Sequence, residues 1–207
     1  MKVLEEFRGK GYSVIRNAIS LELRDFVTQY TLFDEMQDFQ SDGQQVPNAH
    51  AKYADPAMET MLLHLHPLME ESTGLDLYPT YSFYRIYRNG DELPPHTDRP
   101  SCEISATMCF NYGYQNYDWL IFMDGHPVVL KPGDLAIYRG VDIEHSRLPL
   151  DIKEESWHVQ GFFHYVDKNG PHANFKFDNR ESVGFAKDYG NHAKPANEKK
   201  GYITYVN

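Results

Sequence analysis

Residues 78–98, YPTYSFYRIYRNGDELPPHTD, contain the local pattern on which the fold and the candidate site both depend. The aromatic run Tyr81–Tyr87 predicts a strand, and Asn89-Gly90 predicts the turn that ends it. Pro94-Pro95 then stiffens the chain that leads into His96-Thr97-Asp98. Residues two apart on an extended segment project to the same face, so the histidine and the aspartate can reach one ion. The stretch therefore predicts a strand, a turn and a pair of metal-binding side chains in succession.

Short strand patterns separated by turn signals fill the chain downstream of this stretch. We expect strands at 78–88, 104–112, 118–123, 127–130, 134–139, 142–148 and 157–166. The intervening segments have no helical pattern of useful length, which predicts antiparallel pairing. The expected fold class is mainly β (α+β), a sandwich or jelly roll braced by helices on one face.

The N-terminal third predicts the bracing helices after a short strand at Tyr12–Arg16. Ser20 is a suitable N-cap for a first helix. Asp55-Pro56 opens a second helix, with the aspartate as cap and the proline at the first helical position. Its apolar stripe ends at Gly74, and Pro67 should kink the helix or separate its last turn. We therefore expect two helices on one side of the sheet.

The domain organisation follows from this order of patterns. We expect one domain over 1–207, with a helical support region at 1–77, a jelly-roll core at 78–167 and a surface tail at 168–207. The tail is polar and weakly periodic, and the alternation Tyr202-Thr204-Val206 predicts an edge strand near its end.

A third candidate ligand lies far from the first two along the chain. The turn Lys131-Pro132-Gly133-Asp134 precedes a strand, and the next strand, from Val141, ends in His145. Two histidines and one carboxylate form the facial triad of non-haem iron(II) oxygenases. Three ligands on one face leave three positions open for a bidentate co-substrate and dioxygen. The sequence therefore predicts an iron site made of His96, Asp98 and His145.

The composition limits the classes of partner. The formal net charge of −10 argues against nucleic acid, because phosphate binding needs a concentrated basic surface. The N-terminus has charged residues where a signal peptide would be apolar, and the chain has no stretch of 18 apolar residues, so we expect no membrane partner. Cys102 and Cys109, the two cysteines, are poorly placed for a disulfide or a zinc site. These features favour a cytoplasmic protein.

Residues 78–167 resemble the iron(II)/2-oxoglutarate dioxygenases, within them the prolyl 4-hydroxylase-like group. The resemblance is carried by Tyr87 upstream of His-Thr-Asp, the strand Ile104–Asn111, the Pro-Gly-Asp turn before His145, and the final strand that ends in Phe163–Asp167. It implies a double-stranded β-helix, with iron(II) on His96, Asp98 and His145. It also implies 2-oxoglutarate and dioxygen as co-substrates, ascorbate as an auxiliary reductant, and release of succinate as a C–H bond is hydroxylated.

The residue that anchors the far carboxylate of 2-oxoglutarate departs from the family pattern. The resemblance implies Arg or Lys near the start of the last core strand, and this chain has His158 there. Neutral histidine binds anions less well than the planar fork of arginine. Arg147 shares a strand face with His145, and Arg85 shares one with Tyr87, whose hydroxyl is a further candidate. Our order of candidates is Arg147, His158 and Arg85.

Other cations and loops enter the argument with fewer constraints. Arg99 follows the metal aspartate directly, and Lys153 precedes the last core strand. His164 is expected to be structural. The substrate, a peptidyl residue such as proline, a free amino acid or another small metabolite, is expected to be selected by the loops at 34–54 and 112–118 and by the tail. The sequence does not specify the oligomeric state.

Two competing functions use the same ligands. One is a cupin-like jelly roll that binds metal or a small ligand without 2-oxoglutarate turnover. This alternative remains because the last core strand lacks the arginine that the resemblance implies. The other is a metal-dependent isomerase or a dioxygenase that needs no keto acid. Cupin sites more commonly combine three histidines with a carboxylate and begin with His-x-His. The His-Thr-Asp spacing at 96–98 therefore favours the 2-oxoglutarate reading.

Overall fold

The computed structural model describes residues 2–43, 45–152 and 156–184, in which two antiparallel sheets face each other beside three helices. The helices are α1 (Lys2–Lys10), α2 (Leu21–Gln37) and α3 (Pro56–Thr73). The strands are β1 (Tyr12–Ile15), β2 (His50–Tyr53), β3 (Leu77–Tyr87), β4 (Leu93–His96), β5 (Ile104–Tyr112), β6 (Ile121–Met123), β7 (His126–Val128), β8 (Leu135–Arg139), β9 (His145–Arg147) and β10 (His158–Asp167).

The larger sheet has the order β1-β8-β5-β10-β3-β2, and the smaller sheet has the order β4-β9-β6-β7. Neighbouring strands in both sheets pair antiparallel, as the sequence predicts. The larger sheet contains the long strands β3, β5 and β10, which are buried along most of their length, whereas the smaller sheet consists of strands of three or four residues. This arrangement confirms the predicted mainly β class and jelly-roll core.

Some elements differ from the predicted pattern. The pattern predicts no helix at α1 and no strands at β2 and β4. β1 and β2 lie within the support region at 1–77 and yet complete the larger sheet at its two edges. β4 contains two prolines, which remove two donors from a ladder. Because β4 is the edge strand of the smaller sheet, those donors are not required on its open side.

α3 connects the helical region to the larger sheet. Asp55 accepts hydrogen bonds from the amides of Ala57 and Met58, and Gly74 ends the helix in the left-handed conformation, as predicted. The predicted apolar stripe is buried: Met58, Met61, Leu62, Leu65 and Met69. Burial of each such side chain contributes about 1.5–3 kcal/mol relative to exposure. The helix runs unbroken through Pro67, so its last turn does not separate.

The space between the sheets is divided along the barrel axis. At one end a cluster that includes Tyr87, Tyr114 and Trp119 fills the interior. The other end holds His96, Asp98 and His145 beside an open cavity. Both cysteines are buried free thiols. Among the described residues, none of the helices combines the length and the apolar composition that a membrane span requires. The predicted strand at 202–206 lies outside the described residues.

Candidate active site

The pairing of two short strands brings the predicted histidines together. His96 ends β4 and His145 begins β9, and the two residues are direct partners in the antiparallel register. Their ring centroids are 4.2 Å apart. Asp98 follows two residues after β4, where its amide donates to the carbonyl of Gly140 at 2.8 Å. Residues that are 49 positions apart in sequence therefore meet with the aspartate at one end of the barrel.

The ligand atoms of these three residues converge. Asp98 Oδ1 lies 3.8 Å from His96 Nε2 and 3.6 Å from His145 Nε2, and all three atoms lie within 4.8 Å of one another. Each Nδ1 faces a backbone carbonyl, that of Pro94 at 2.8 Å and that of Ile143 at 3.1 Å. Because a carbonyl only accepts, each Nδ1 carries the hydrogen and each Nε2 presents its lone pair. The residues therefore fit a divalent metal ion with two nitrogen ligands and one oxygen ligand.

Burial sets the protonation of this group. Burial and the neighbouring His96 lower the pKa of His145 to about 4, so its ring is neutral near pH 7. Burial raises the pKa of the Asp98 carboxyl, while His164 and Ser105 act in the opposite direction. A metal ion requires neutral imidazole and ionised carboxylate. The histidine is therefore already in its ligand form, and a bound cation would favour the ionised aspartate.

Two residues that the sequence analysis did not identify hold the Asp98 carboxylate. Ser105 Oγ lies 2.9 Å from Asp98 Oδ2 and 2.9 Å from His164 Nδ1. A Cβ atom on Gly140 would lie 2.5 Å from Asp98 Oδ2 and closer still to the carbonyl of Cys102. Gly140 therefore fixes the aspartate through its own carbonyl and makes room for the carboxylate by having no side chain. A lone glycine after a strand gave no signal of this role.

His164 lies inside the site region, although the sequence predicts a structural role. Its ring centroid is 4.5 Å from that of Tyr81, and burial lowers its pKa to about 4. The ligand atoms of Asp98, Cys102 and His164 form a second group within 4.8 Å of one another. Burial raises the pKa of the Cys102 thiol to about 12, so the thiol is protonated near pH 7. Cys102 and His164 are therefore neutral side chains behind the Asp98 carboxylate.

A cavity of about 400 Å³ opens beside the three ligands. Its walls include Tyr81 and Phe83 from β3, Phe162 from β10 and Leu93 from β4. Arg85 is the guanidinium on its inner wall, and Arg99 lies near its mouth, bound to Asp178 at 2.8 and 3.0 Å. A space of this size accommodates a small ligand beside a metal ion.

Arg147 and His158, the first two candidates for the co-substrate anchor, do not line this cavity. The Arg147 guanidinium is buried 4.4 Å from the Trp119 ring, and it donates to the Trp119 carbonyl at 2.8 Å and to Gln160 Oε1 at 3.3 Å. His158 Nε2 donates to the same Gln160 oxygen at 2.8 Å, and its Nδ1 faces the Tyr114 hydroxyl at 2.9 Å. Burial, reinforced by Arg147, lowers the pKa of His158 to about 3. His158 is therefore neutral and its hydrogen bonds are satisfied.

Arg85 and Tyr87 are coupled on β3. Arg85 Nη1 donates to the Tyr87 hydroxyl at 2.7 Å, and the guanidinium carbon lies 5.2 Å from the centre of the same ring. Arg85 is only 2% exposed, and its Nε has no acceptor among the described residues. Of the two cation candidates inside the barrel, Arg85 lines the cavity beside His96, Asp98 and His145, and Arg147 does not. Lys153 lies outside the described residues.

Comparison with known proteins supports the fold and adds no sequence relative. No family sequence model matches the chain, and no curated protein matches it by sequence. Among solved structures, it is similar to a Pseudomonas putida prolyl-4-hydroxylase at 20% identity, over 79% of this chain and 97% of that chain, with a TM-score of 0.62. It is also similar to a Trichoplax adhaerens prolyl hydroxylase in complex with a hypoxia inducible factor peptide fragment (14% identity, 80% and 88% covered, TM-score 0.64). A third is HygX from Streptomyces hygroscopicus, with nickel, 2-oxoglutarate and hygromycin B bound (11% identity, 79% and 86% covered, TM-score 0.62). The chain therefore has the fold that these 2-oxoglutarate- and iron(II)-dependent oxygenases share.

Proposed function

We propose that the chain is an iron(II)- and 2-oxoglutarate-dependent dioxygenase that hydroxylates a C–H bond. The observation that carries the proposal is the convergence of His96 Nε2, Asp98 Oδ1 and His145 Nε2 beside an open cavity. The two backbone carbonyls that fix the histidine tautomers support it, because they leave both Nε2 lone pairs available. Bound iron(II) would supply the centre at which dioxygen and the 2-oxo acid react. The protein residues bind the ligand, orient it and exclude water.

The co-substrate is proposed to lie with its 2-oxo acid end at the triad and its far carboxylate at Arg85. Arg85 lines the cavity and is almost fully buried, and its Nε, which has no acceptor among the described residues, can donate to an incoming oxygen. Tyr87 acts through Arg85, because its hydroxyl already accepts a hydrogen bond from Nη1. Phe83 and Phe162 pack beside the guanidinium and limit the water around it. This proposal places Arg85 ahead of Arg147 and His158.

The substrate is proposed to be a peptidyl side chain, an amino acid or a small metabolite that enters past His96. The ligands bound in the similar structures, a peptide fragment in one and hygromycin B in another, cover both kinds of molecule. The cavity walls also contain Tyr53 and Arg99, which offer an aromatic face and a guanidinium whose charge is paired with Asp178. These groups favour a substrate with a polar part near the reacting carbon.

Anaerobic addition of iron(II) and 2-oxoglutarate tests the proposal. A metal-to-ligand charge-transfer band should appear in the wild-type protein and be lost in His96→Ala. Admission of oxygen should then release succinate. Metal binding without the band or succinate would instead support a jelly roll that binds metal without turnover.

The anchor assignment has its own test. Arg85→Gln should raise the 2-oxoglutarate concentration that gives half of the maximal charge-transfer absorbance by about tenfold or more. The reason is that the co-substrate carboxylate loses a charged hydrogen-bond donor. Arg147→Gln and His158→Ala should change that concentration less. The opposite order would move the anchor to β9 or β10.

A further inference from the structure

The hydrogen bonds of Arg85 are unevenly distributed around its guanidinium. Nη1 donates to Tyr87, and Nη2 donates to Asp42 Oδ2 at 2.8 Å and to Gln45 Oε1 at 3.1 Å. Nε is buried without an acceptor among the described residues. The edge formed by Nε and Nη2 is therefore half occupied, with one free donor beside one donor that already has two acceptors.

Asp42 occupies the position of a carboxylate ligand. It lines the same cavity as the metal ligands, and its side chain is only 9% exposed. Its Oδ2 atom also accepts a hydrogen bond from the amide of Val46 at 2.8 Å, which fixes its direction. An arginine binds a carboxylate most strongly through two parallel N–H groups. On the Nε edge of Arg85, a ligand can form such a pair only by displacing Asp42 or Gln45 from Nη2.

We propose that Asp42 is an internal counter-ion that competes with the ligand carboxylate for Arg85, and that it thereby sets the selectivity of the cavity for acidic ligands. The inference rests on the proposed function, because it takes the carboxylate at Arg85 to be that of 2-oxoglutarate. Asp42 weakens binding of every ligand that needs the Nε–Nη2 edge. It does not affect a 2-oxo acid that has no second carboxylate. The aspartate therefore lowers the preference for 2-oxoglutarate over its monocarboxylate analogues.

Asp42→Asn isolates this effect from a loss of structure. Asparagine keeps an oxygen for Val46 and for Arg85 but removes the negative charge, so the buried arginine retains a neutral partner. Asp38→Asn is the matched control, since Asp38 precedes the same loop, is 63% exposed on its side chain and pairs with Lys52 at 3.4 Å. Thermal unfolding of each variant verifies that the proteins remain folded.

The experiment is isothermal titration calorimetry of the manganese(II)-loaded full chain with 2-oxoglutarate and, separately, with 2-oxopentanoate. Charged hydrogen bonds are stronger than neutral ones by an amount that corresponds to about tenfold in affinity. We therefore expect Asp42→Asn to bind 2-oxoglutarate about tenfold more tightly than wild type and to bind 2-oxopentanoate equally. Asp38→Asn should match wild type for both acids, and Arg85→Gln in the Asp42→Asn background should remove the gain. Unchanged or weaker 2-oxoglutarate binding in folded Asp42→Asn overturns the inference.

Titration of the metal-free chain with glutarate separates this inference from the proposed function. Glutarate has no chelating 2-oxo group, so its binding depends on the arginine and not on a metal. If Asp42→Asn binds glutarate more tightly than wild type and Arg85→Gln abolishes that gain, the competition holds even where the charge-transfer band is absent. If the band forms but Asp42→Asn improves binding of neither dicarboxylate, the dioxygenase proposal stands and Asp42 is only a structural partner of Arg85.

Discussion

Gly140→Ala tests how closely the barrel is built around the carboxylate of Asp98, the proposed metal ligand. The added Cβ atom would lie 2.5 Å from Asp98 Oδ2 and 2.9 Å from Ser105 Oγ, and nearer still to the carbonyl of Cys102. Real Cβ atoms do not approach other atoms below 3.0 Å. The cysteine carbonyl belongs to the backbone and cannot rotate away, so the aspartate or the main chain must move. Gly140 does not have a positive φ, so alanine would cause no backbone strain there. The expected loss of stability comes from the steric overlap alone.

The expected magnitude follows from these contacts. Overpacking of a buried site costs about 1–3 kcal/mol, and three simultaneous overlaps place this change near the upper value. For a chain of this length we expect a fall in melting temperature of about 6–12 °C. Displacement of a ligating carboxylate should also weaken manganese(II) binding about tenfold to a hundredfold.

Circular dichroism and calorimetric titration measure the two effects. Gly9→Ala is the control, because a Cβ there meets no atom within 4 Å and Gly9 is exposed on helix α1. It should raise the free energy of unfolding by up to about 1 kcal/mol and leave metal binding unchanged. Wild-type metal affinity and melting temperature in Gly140→Ala would refute the account of Asp98.

Three further predictions concern side chains inside the barrel. Ser105→Ala removes the hydroxyl beside Asp98 and should weaken manganese(II) binding about tenfold by calorimetry. Ser101→Ala should leave it unchanged, since the buried Ser101 hydroxyl has no partner among the described residues. Burial lowers the pKa of His158 to about 3, so its contribution to stability is complete above pH 6.5 and is lost as the pH falls toward 3. Denaturant unfolding at pH 4.5 and 7 should therefore show a smaller difference in His158→Gln than in wild type, whereas exposed His64→Gln should show the same difference as wild type. Saturating manganese(II) at a hundred times its dissociation constant should raise the melting temperature of wild type by about 5–11 °C, and His145→Ala should show no such rise.

The sequence predicted correctly those helix ends that depend on neighbouring residues alone. The caps at Ser20 and Asp55 and the stop at Gly74 are local hydrogen-bond and backbone effects, and the structure confirms each of them. β4 was not predicted, because Pro94-Pro95 is typical of a turn. A strand with two prolines is acceptable there only because β4 lies at the open edge of the smaller sheet, and the sequence alone does not show that position.

The same distinction separates the parts of the site. His96 and Asp98 are two residues apart, so strand geometry relates them before any fold is known. Gly140, Ser105 and Asp42 act through contacts with partners 42, 7 and 43 residues away, respectively. These contacts depend on how tightly the side chains pack in the folded protein, and a single sequence does not predict that packing.

The histidine on β10 and the arginines of the barrel are physically linked. Arg147 is a second cause of the lowered pKa of His158, because a positive ring beside a buried guanidinium would place like charges together. A cation at the start of β10 is therefore disfavoured once Arg147 is present on β9. Gln160 joins the two, since its one carbonyl oxygen accepts from both. Arg147→Gln should consequently raise the pKa of His158, measured by NMR titration of the ring protons. An unchanged value would mean that burial alone keeps the histidine neutral, and that Arg147 does not disfavour a cation at the start of β10.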